Sequence, residues 1–557
     1  MEINEILSLI AVKSLAESNR MMEEICGIVD FFYSEEDKNE FIREGLSVDS
    51  RSFNDKVAYG DWQTPGPLSE EICKRHLEKY GSPDIVVEPT CGMGSFVLAA
   101  LSVFPDAAEI HAVEINKNYT NILKRKIFDY ALRNNRIGFP KVYIYTEDFF
   151  KFDAEQIFSK ARISEKNIAV VGNPPWVTNS RQGRLGADNL PVKNNRYNLK
   201  GIDAITGKSN FDISESITLK ILDLAGNNTV GISLLLKNSV IRNVICKQRE
   251  YPFQISDIEQ YVINADKEFG VSVSASCLSA RFGEKVSLTC DVKDFYKKSL
   301  LTRYGWMGDS FVSDCNLYKS VVRFDGKSAF IWRSGIKHDC SPILELTIKD
   351  GVYYNGLGEI VDIEDDLIYP LLKSSDVHKL NGLDNRHDRY LILPQHSVGE
   401  NTASLQYMYP LAYDYLSKHL EYFVKRRSSI YKGKDPFSIF GIGDYSFKPY
   451  KVVVSSLYKD IQFRLVTPCN GKSVMVDDTC YQYGCDSYEE ALAVAQALNG
   501  EEIQTLIRAL TFNDAKRVVT KSLLMRLDLD EYFRYKGKSL RRGSKKSITY
   551  VQPSLFD

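Results

Sequence analysis

Four short apolar runs in the first third of the chain each stop at a polar or aromatic cluster, and that repetition leaves few folds open. Ile85-Val86-Val87 stops at Glu88, and Ile110 to Val113 stops at Glu114. Val142 to Tyr145 leads to Glu147-Asp148-Phe149-Phe150, and Ile168 to Val171 leads through Gly172 to Asn173-Pro174-Pro175-Trp176. Runs of this length, bounded by turn residues, predict buried strands. After the first comes Pro89-Thr90-Cys91-Gly92-Met93-Gly94-Ser95-Phe96, then an apolar helix through Leu101. A strand feeding a glycine turn that opens a helix predicts an α/β fold in which a nucleotide-like cofactor meets backbone N–H groups. In an open sheet of that kind the ligand crevice lies beyond the carboxyl ends of the strands, where all four clusters fall.

The clusters carry different chemistry. The glycine turn alone is a weak signal, and a nicotinamide site would want a third small residue where Val97 stands. Glu114 follows the glycines by about 20 residues, the spacing at which such sites place a carboxylate for ribose hydroxyls. In the fourth cluster Pro175 fixes its own φ and restricts Pro174. Asn173 offers an amide oxygen, Pro174 a carbonyl without an N–H on its own residue, and Trp176 a stacking surface. Alone, Asn-Pro-Pro reads as a strand-ending turn. With a cofactor-type site upstream, it reads as a device for holding a planar amine.

These motifs resemble the S-adenosylmethionine-dependent amino-methyltransferases of DNA, in the class where the cofactor motifs precede Asn-Pro-Pro-aromatic and a C-terminal target-recognition domain follows, as in type II restriction–modification. Gly60-Asp61-Trp62-Gln63-Thr64-Pro65 resembles the segment that packs over the methionine half of the cofactor in that family. Ser209-Asn210-Phe211-Asp212 and the apolar run Thr229 to Leu236 fit the next motifs less tightly, and Phe269-Gly270-Val271-Ser272-Val273 fits a late hairpin that helps hold the target base. The match is strong from about residue 60 to 180 and weaker to about 285. It implies a Rossmann-like, doubly wound methyltransferase sheet followed by a mixed α+β recognition domain.

The resemblance also implies roles. Glu88, Gly92 and Gly94 would shape the cofactor loop, and Thr64 and Pro65 would contact the methionine moiety. Glu114 would accept from the ribose, Asp148 from the cofactor's adenine amine, and Phe149 would pack on that ring. Asn173 and the Pro174 carbonyl would accept the two hydrogens of the substrate amine while Trp176 stacks on the base. An exocyclic amine is a poor nucleophile because its lone pair is delocalised. Two acceptors off the ring plane favour a more tetrahedral nitrogen, so direct transfer is governed by positioning and electrostatics. No metal or cysteine nucleophile is required, and Cys91 reads as a packing residue. In the family, enzymes acting on adenine N6 usually carry Asn or Asp at the place of Asn173 and those acting on cytosine N4 usually Ser, so the resemblance favours adenine N6.

The same motif serves methyltransferases acting on RNA or on a protein glutamine, and chain length separates them. The chain has 557 residues, which predicts more than one domain. A duplex-DNA enzyme has a use for the long remainder, since it must read a sequence and flip a base. The expected organisation is an N-terminal helical segment (1–50), a methyltransferase domain (51–285), a target-recognition domain with a helical cap (286–532) and a basic tail (533–557). Trp332 to Lys337, Leu371 to Asp376, Val424 to Arg427 and Ile430 to Lys434 resemble recognition-region segments. Arg426, Arg427, Lys432 and Lys448 are the expected DNA contacts there, with Phe269 from the earlier domain. For any one of these residues an ordinary solvated surface is as good a reading. Ser487 to Tyr532 reads as helical, and Ile6, Leu7, Ile10 and Val12 place helices on the core. Phe533 to Lys546 holds seven Lys or Arg and no acid, a solvated run able to add phosphate attraction.

With 71 basic and 73 acidic residues, any positive surface must be local. The 11 cysteines show no metal-ligand spacing beyond the pair His338 and Cys340, which suits a reducing cytosol. A signal peptide and a membrane-length apolar run are both lacking. The expected setting is cytoplasmic, with double-stranded DNA as partner and a separate cognate restriction endonuclease as a further one. Two other classes compete. A fused nuclease would use Pro83-Asp84 with Glu88, but Glu88 leads into the cofactor loop. A DNA-binding module that has lost catalysis would show damaged motifs, and these are intact.

Overall fold

The computed structural model describes residues 3–46, 62–134, 138–177, 212–226, 228–250, 253–282, 286–380, 388–514 and 517–538. Gly60-Asp61, Ser209-Asn210-Phe211 and most of the basic tail lie outside the described residues. Two compact units divide the chain, Met1–Phe311 and Val312–Asp557.

In the first unit, helices α1 (Ile3–Val12), α2 (Leu15–Cys26) and α3 (Glu35–Glu44) precede α4 (Gly66–Tyr80). An alternating series follows: β1 (Ile85–Glu88), α5 (Ser95–Val103), β2 (Glu109–Glu114), α6 (Lys117–Asn134), β3 (Lys141–Thr146), α7 (Glu155–Ile163) and β4 (Ile168–Gly172). Next come α8 (Ile213–Ala225), β5 (Val230–Lys237), α9 (Asn238–Lys247), β6 (Ile255–Val262), α10 (Ala265–Phe269) and β7 (Ala275–Phe282). The unit closes with β8 (Thr289–Asp294) and β9 (Leu300–Met307), and β10 (Ser310–Val312) runs on across the division. All ten strands form one sheet in the order β10-β9-β8-β6-β7-β5-β4-β1-β2-β3.

Strands β3, β2, β1, β4 and β5 are mutually parallel, and β7 enters antiparallel between β5 and β6. β1 and β4 are buried at every residue, which is why they read as unbroken apolar runs. From β1 the chain winds outward through β2 and β3, then returns to lay β4 on the other side. The β1/β4 boundary is therefore the topological switch point, the usual crevice of an open α/β sheet. The sheet does not stop near residue 285, because β6 pairs in parallel with β8 and β8 pairs with β9.

The N-terminal helices pack on this core as expected. Ile6, Ile10, Met22, Phe31, Phe32 and Phe41 join a cluster with Ile127 and Phe128 of α6. Val12, expected on the same face, is 83% exposed. Ser14 opens α2 with a reciprocal bond to Glu17, a capping box that satisfies two orphan donors.

The second unit holds two smaller sheets. One orders β11 (Arg333–Ser334), β20 (Cys480–Cys485), β17 (Tyr450–Ser455) and β18 (Phe463–Val466). The other orders β14 (Ile360–Val361), β13 (Val352–Asn355), β12 (Glu345–Lys349), β16 (Arg389–Ile392), β15 (Ile368–Leu372) and β19 (Met475–Val476). Helices α11 (Tyr488–Leu498) and α12 (Glu501–Leu510) bury Ala491, Val494, Leu498, Leu506 and Ile507, the apolar faces seen in the sequence. Trp332 is 1% exposed and is a core anchor of this unit. Among the described residues no helix is long and apolar enough to cross a membrane.

Candidate active site

The site is built at the carboxyl ends of β1 and β4. Glu88 ends β1 at 2% exposure, and its Oε2 has no partner among the described residues. Burial, and behind it the charge of Glu114, pushes the Glu88 carboxyl well above the ordinary carboxylate range. Thr90 Oγ1 is likewise buried without a partner among the described residues. Gly92 and Gly94 take φ of +53° and +89°, backbone that glycine adopts without strain. Their missing side chains also serve packing, since a Cβ at Gly94 would meet Leu123 of α6 at 2.1 Å and one at Gly92 would meet the Gln63 amide at 2.8 Å.

Glu114, at the end of β2, holds this loop. Its Oε2 accepts from Gly92 N–H at 2.9 Å and its Oε1 from Asn116 N–H at 2.8 Å. After β3, Asp148 accepts from Phe150 N–H at 2.9 Å, and Phe149 is 4% exposed. Sequence reasoning missed Lys220 of α8, whose Nζ donates to the carbonyls of Phe149 and Phe152 at 2.5 and 2.8 Å and lies 4.8 Å over the Phe149 ring. Nothing local distinguishes that lysine from one on an ordinary amphipathic helix.

After β4, Asn173 turns its amide toward the segment before α4. Nδ2 donates to the Trp62 carbonyl at 2.9 Å and to Thr64 Oγ1 at 3.2 Å. Oδ1 is buried and has no partner among the described residues. Pro174 is buried, and Pro175 is partly so. Trp176 is not an open surface: it is 6% exposed, donates Nε1–H to the Leu235 carbonyl at 3.3 Å and packs edge-on against Phe269 at 5.2 Å. Phe269 closes α10 and is half-buried. The Ile213 N–H donates to the Val177 carbonyl at 2.9 Å. Asp212 caps α8 and accepts from Lys237, at the end of β5, at 2.5 Å. Glu88, the glycine loop, Glu114 and Thr64 are thus interlinked with or adjacent to Asn173, while Asp148 and Phe149 lie three strands away along the same edge.

The expected DNA contacts divide. Arg427 and Lys432 are exposed. Lys448 pairs with Asp486 at 2.5 Å. Arg426 requires a correction: its guanidinium donates to the carbonyls of Phe423, His338, Ser438 and Pro436 and lies 3.7 Å over the Tyr431 ring. It joins three loops from within and has little left to offer a phosphate. His338 accepts the Cys340 N–H at Nδ1, at 3.2 Å.

A parallel core in the order β3-β2-β1-β4-β5, an antiparallel β7 set between β5 and β6, and a glycine loop and Asn-Pro-Pro turn at the switch point define a Rossmann-like methyltransferase. Comparison with known proteins narrows the class. The Type II methyltransferase M.NspV of Nostoc sp. is 37% identical over 481 residues, spanning 85% of this chain and 97% of that protein. The chain belongs to the type II methyltransferase family. Its fold is similar to that of the Type IIL restriction-modification enzyme MmeI, solved in complex with DNA, with a TM-score of 0.52, 11% identity, and coverage of 98% of this chain and 72% of that one. No protein-family model matches the chain.

Proposed function

We propose that the protein is a site-specific DNA methyltransferase that modifies N6 of an adenine flipped out of the duplex, as the modification member of a restriction–modification pair. The observation that carries this reading is the Asn173 amide. A carbonyl can only accept, so the Trp62 carbonyl fixes Nδ2 as the end that faces it and leaves Oδ1 as a buried acceptor in search of a donor. An exocyclic amine is such a donor.

S-adenosylmethionine is the methyl donor, and the residues present fit it. A buried carboxyl with one orphan oxygen suits a cationic ligand, and the glycine loop opens a helix whose N-cap, Gly94, provides no side-chain cap. Glu88, Gly92, Gly94, Glu114, Asp148, Phe149 and Pro65 would hold it, whereas the Thr64 hydroxyl is turned to Asn173. When bound, it supplies an electrophilic methyl group. Asn173 Oδ1 and the Pro174 carbonyl accept the two hydrogens of the amine, which withdraws its lone pair from the ring and frees it as the nucleophile. Phe269, with Trp176 buttressing it, forms the aromatic wall for the base. The proton released after transfer leaves through the same acceptors. Charge stabilised at preplaced acceptors accelerates such steps without reorganisation.

Arg427 and Lys432 contact DNA phosphates in this reading. A separate cognate endonuclease and a cytoplasmic setting belong to it as well. The test is modification-sensitive sequencing of DNA from cells expressing the protein, beside an Asn173→Ala control. N6-methyladenine in one short motif, lost in the control, is the expected result. Unmodified DNA with methylated RNA or protein refutes it.

A further inference from the structure

One short strap touches both halves of the site. The Trp62 carbonyl and Thr64 Oγ1 accept from Asn173 Nδ2 at 2.9 and 3.2 Å. Gln63 Oε1 accepts from Met93 N–H of the glycine loop at 3.1 Å. The Thr64 carbonyl accepts from Ser95 Oγ, at the start of α5, at 2.7 Å. Thr64 is 7% exposed, and Pro65 after it caps α4. Three residues, through four hydrogen bonds, therefore tie the cofactor loop to the catalytic turn.

The ties have a directional consequence. An asparagine amide can present either end to a neighbour, and the two ends have opposite hydrogen-bonding character. On the strap side it meets two oxygens, one of which can only accept. Rotating the amide by half a turn would set Oδ1 against the Trp62 carbonyl and present two N–H donors to an incoming amine. Such an Asn173 would repel its substrate. Resting on the reading of Asn173 as acceptor of the target amine, we propose that Thr64 is a positioning residue for methyl transfer. Its hydroxyl oxygen, with the Trp62 carbonyl, locks the Asn173 amide with Oδ1 toward the substrate. Gln63 and Ser95 extend that lock to the glycine loop, so that an ordered cofactor loop and a correctly turned Asn173 support one another.

Thr64→Val keeps the β-branched shape and removes the oxygen, whereas Thr64→Ser keeps the oxygen and removes the methyl. The experiment measures DNA methylation by the full-length protein under steady-state and single-turnover conditions, with N6-methyladenine quantified by mass spectrometry and S-adenosylmethionine affinity by calorimetry. Thr64→Val should lower kcat about 10- to 100-fold, the scale of a misplaced catalytic group, with cofactor affinity and KM for DNA within about twofold. Near-normal cofactor binding also certifies that the variant is folded. Thr64→Ser should return kcat to within about threefold of wild type. Three results overturn the proposal: an unchanged kcat in Thr64→Val, a loss of cofactor affinity that accounts for the whole defect, or a Thr64→Ser variant as slow as the valine one. The wild-type sample tests the underlying reading separately, since its lack of N6-methyladenine would refute the adenine assignment whatever the variants do.

Discussion

At the ends of β1 and β4, three buried side-chain atoms lack partners among the described residues: Glu88 Oε2, Thr90 Oγ1 and Asn173 Oδ1. In the basic segment of the second unit the reverse holds for the most buried charge, because Arg426 spends its N–H groups on four carbonyls. Both regions were picked out for chemistry by their residue types. An orphaned buried polar atom costs about 1–3 kcal/mol, so a cluster of them at one strand edge is where a polar ligand gains most by binding. A satisfied guanidinium needs nothing further. Unspent hydrogen-bonding capacity, more than residue type, separates Asn173 and Glu88 from Arg426.

The largest effect that would break this contrast is at Asn173. Asn173→Ala should lower single-turnover methylation by about a hundredfold or more while cofactor affinity stays near wild type. A variant that still methylates within tenfold would show that the orphaned oxygen is incidental. Adjacent arginines in the second unit offer the next comparison. Arg426→Ala should lower that unit's stability by roughly 1–3 kcal/mol, read as a fall in its unfolding midpoint, because partly buried carbonyls lose charged donors. Arg427→Ala should leave the midpoint in place and reduce the salt slope of DNA binding by about one. If the two results were exchanged, the assignment of clamp and contact would be exchanged too.

Two buried ionisable groups sharpen the comparison through pH, with opposite signs. Glu88 is held above its ordinary value of 4.5, so between that value and its folded pKa the native state binds more protons than the unfolded chain. Its contribution to stability is complete below 4.5 and is lost as pH rises through the folded pKa. Glu88→Gln removes the titration and should raise the first unit's unfolding temperature at neutral pH by roughly 2–4 °C. An unaltered pH profile would show that Glu88 ionises freely.

Lys451 of β17 is fully buried, donates to the Val474 carbonyl at 2.5 Å and is lowered by burial from 10.5 to about 7. Between those values the unfolded chain binds more protons, so the second unit gains stability as pH rises from 7 toward 10.5. Lys451→Met should flatten that slope to within about 1 °C between pH 7 and 9, the smallest of these effects. A wild-type profile already flat over that range would contradict it.

The sequence specified β1 to its residues and β2, β3 and β4 to within one residue at each end; β1 and β4 are legible because parallel strands covered on both faces must be apolar throughout. It placed Glu88, Glu114, Asp148 and Asn173 at strand ends for the same reason: a polar residue closes an apolar run where the strand emerges. Their neighbours could not be read this way. The bond from Glu114 to Gly92, the hold of Lys220 on the turn after β3 and the grip of Trp62 and Thr64 on Asn173 join positions far apart in the chain. No periodicity encodes them.

In the second unit the strands are short and loops carry the candidate residues, so local pattern had less to report. Arg426 and Arg427 are consecutive and identical in type, yet one faces inward to four carbonyls and the other outward to solvent. What the sequence determined by itself was where four strands lie along the chain and the chemistry placed at each strand end, since burial on a sheet imposes a pattern along the chain. Which of those groups keep a hydrogen bond to give was decided by the tertiary structure, because satisfaction depends on what the fold brings alongside.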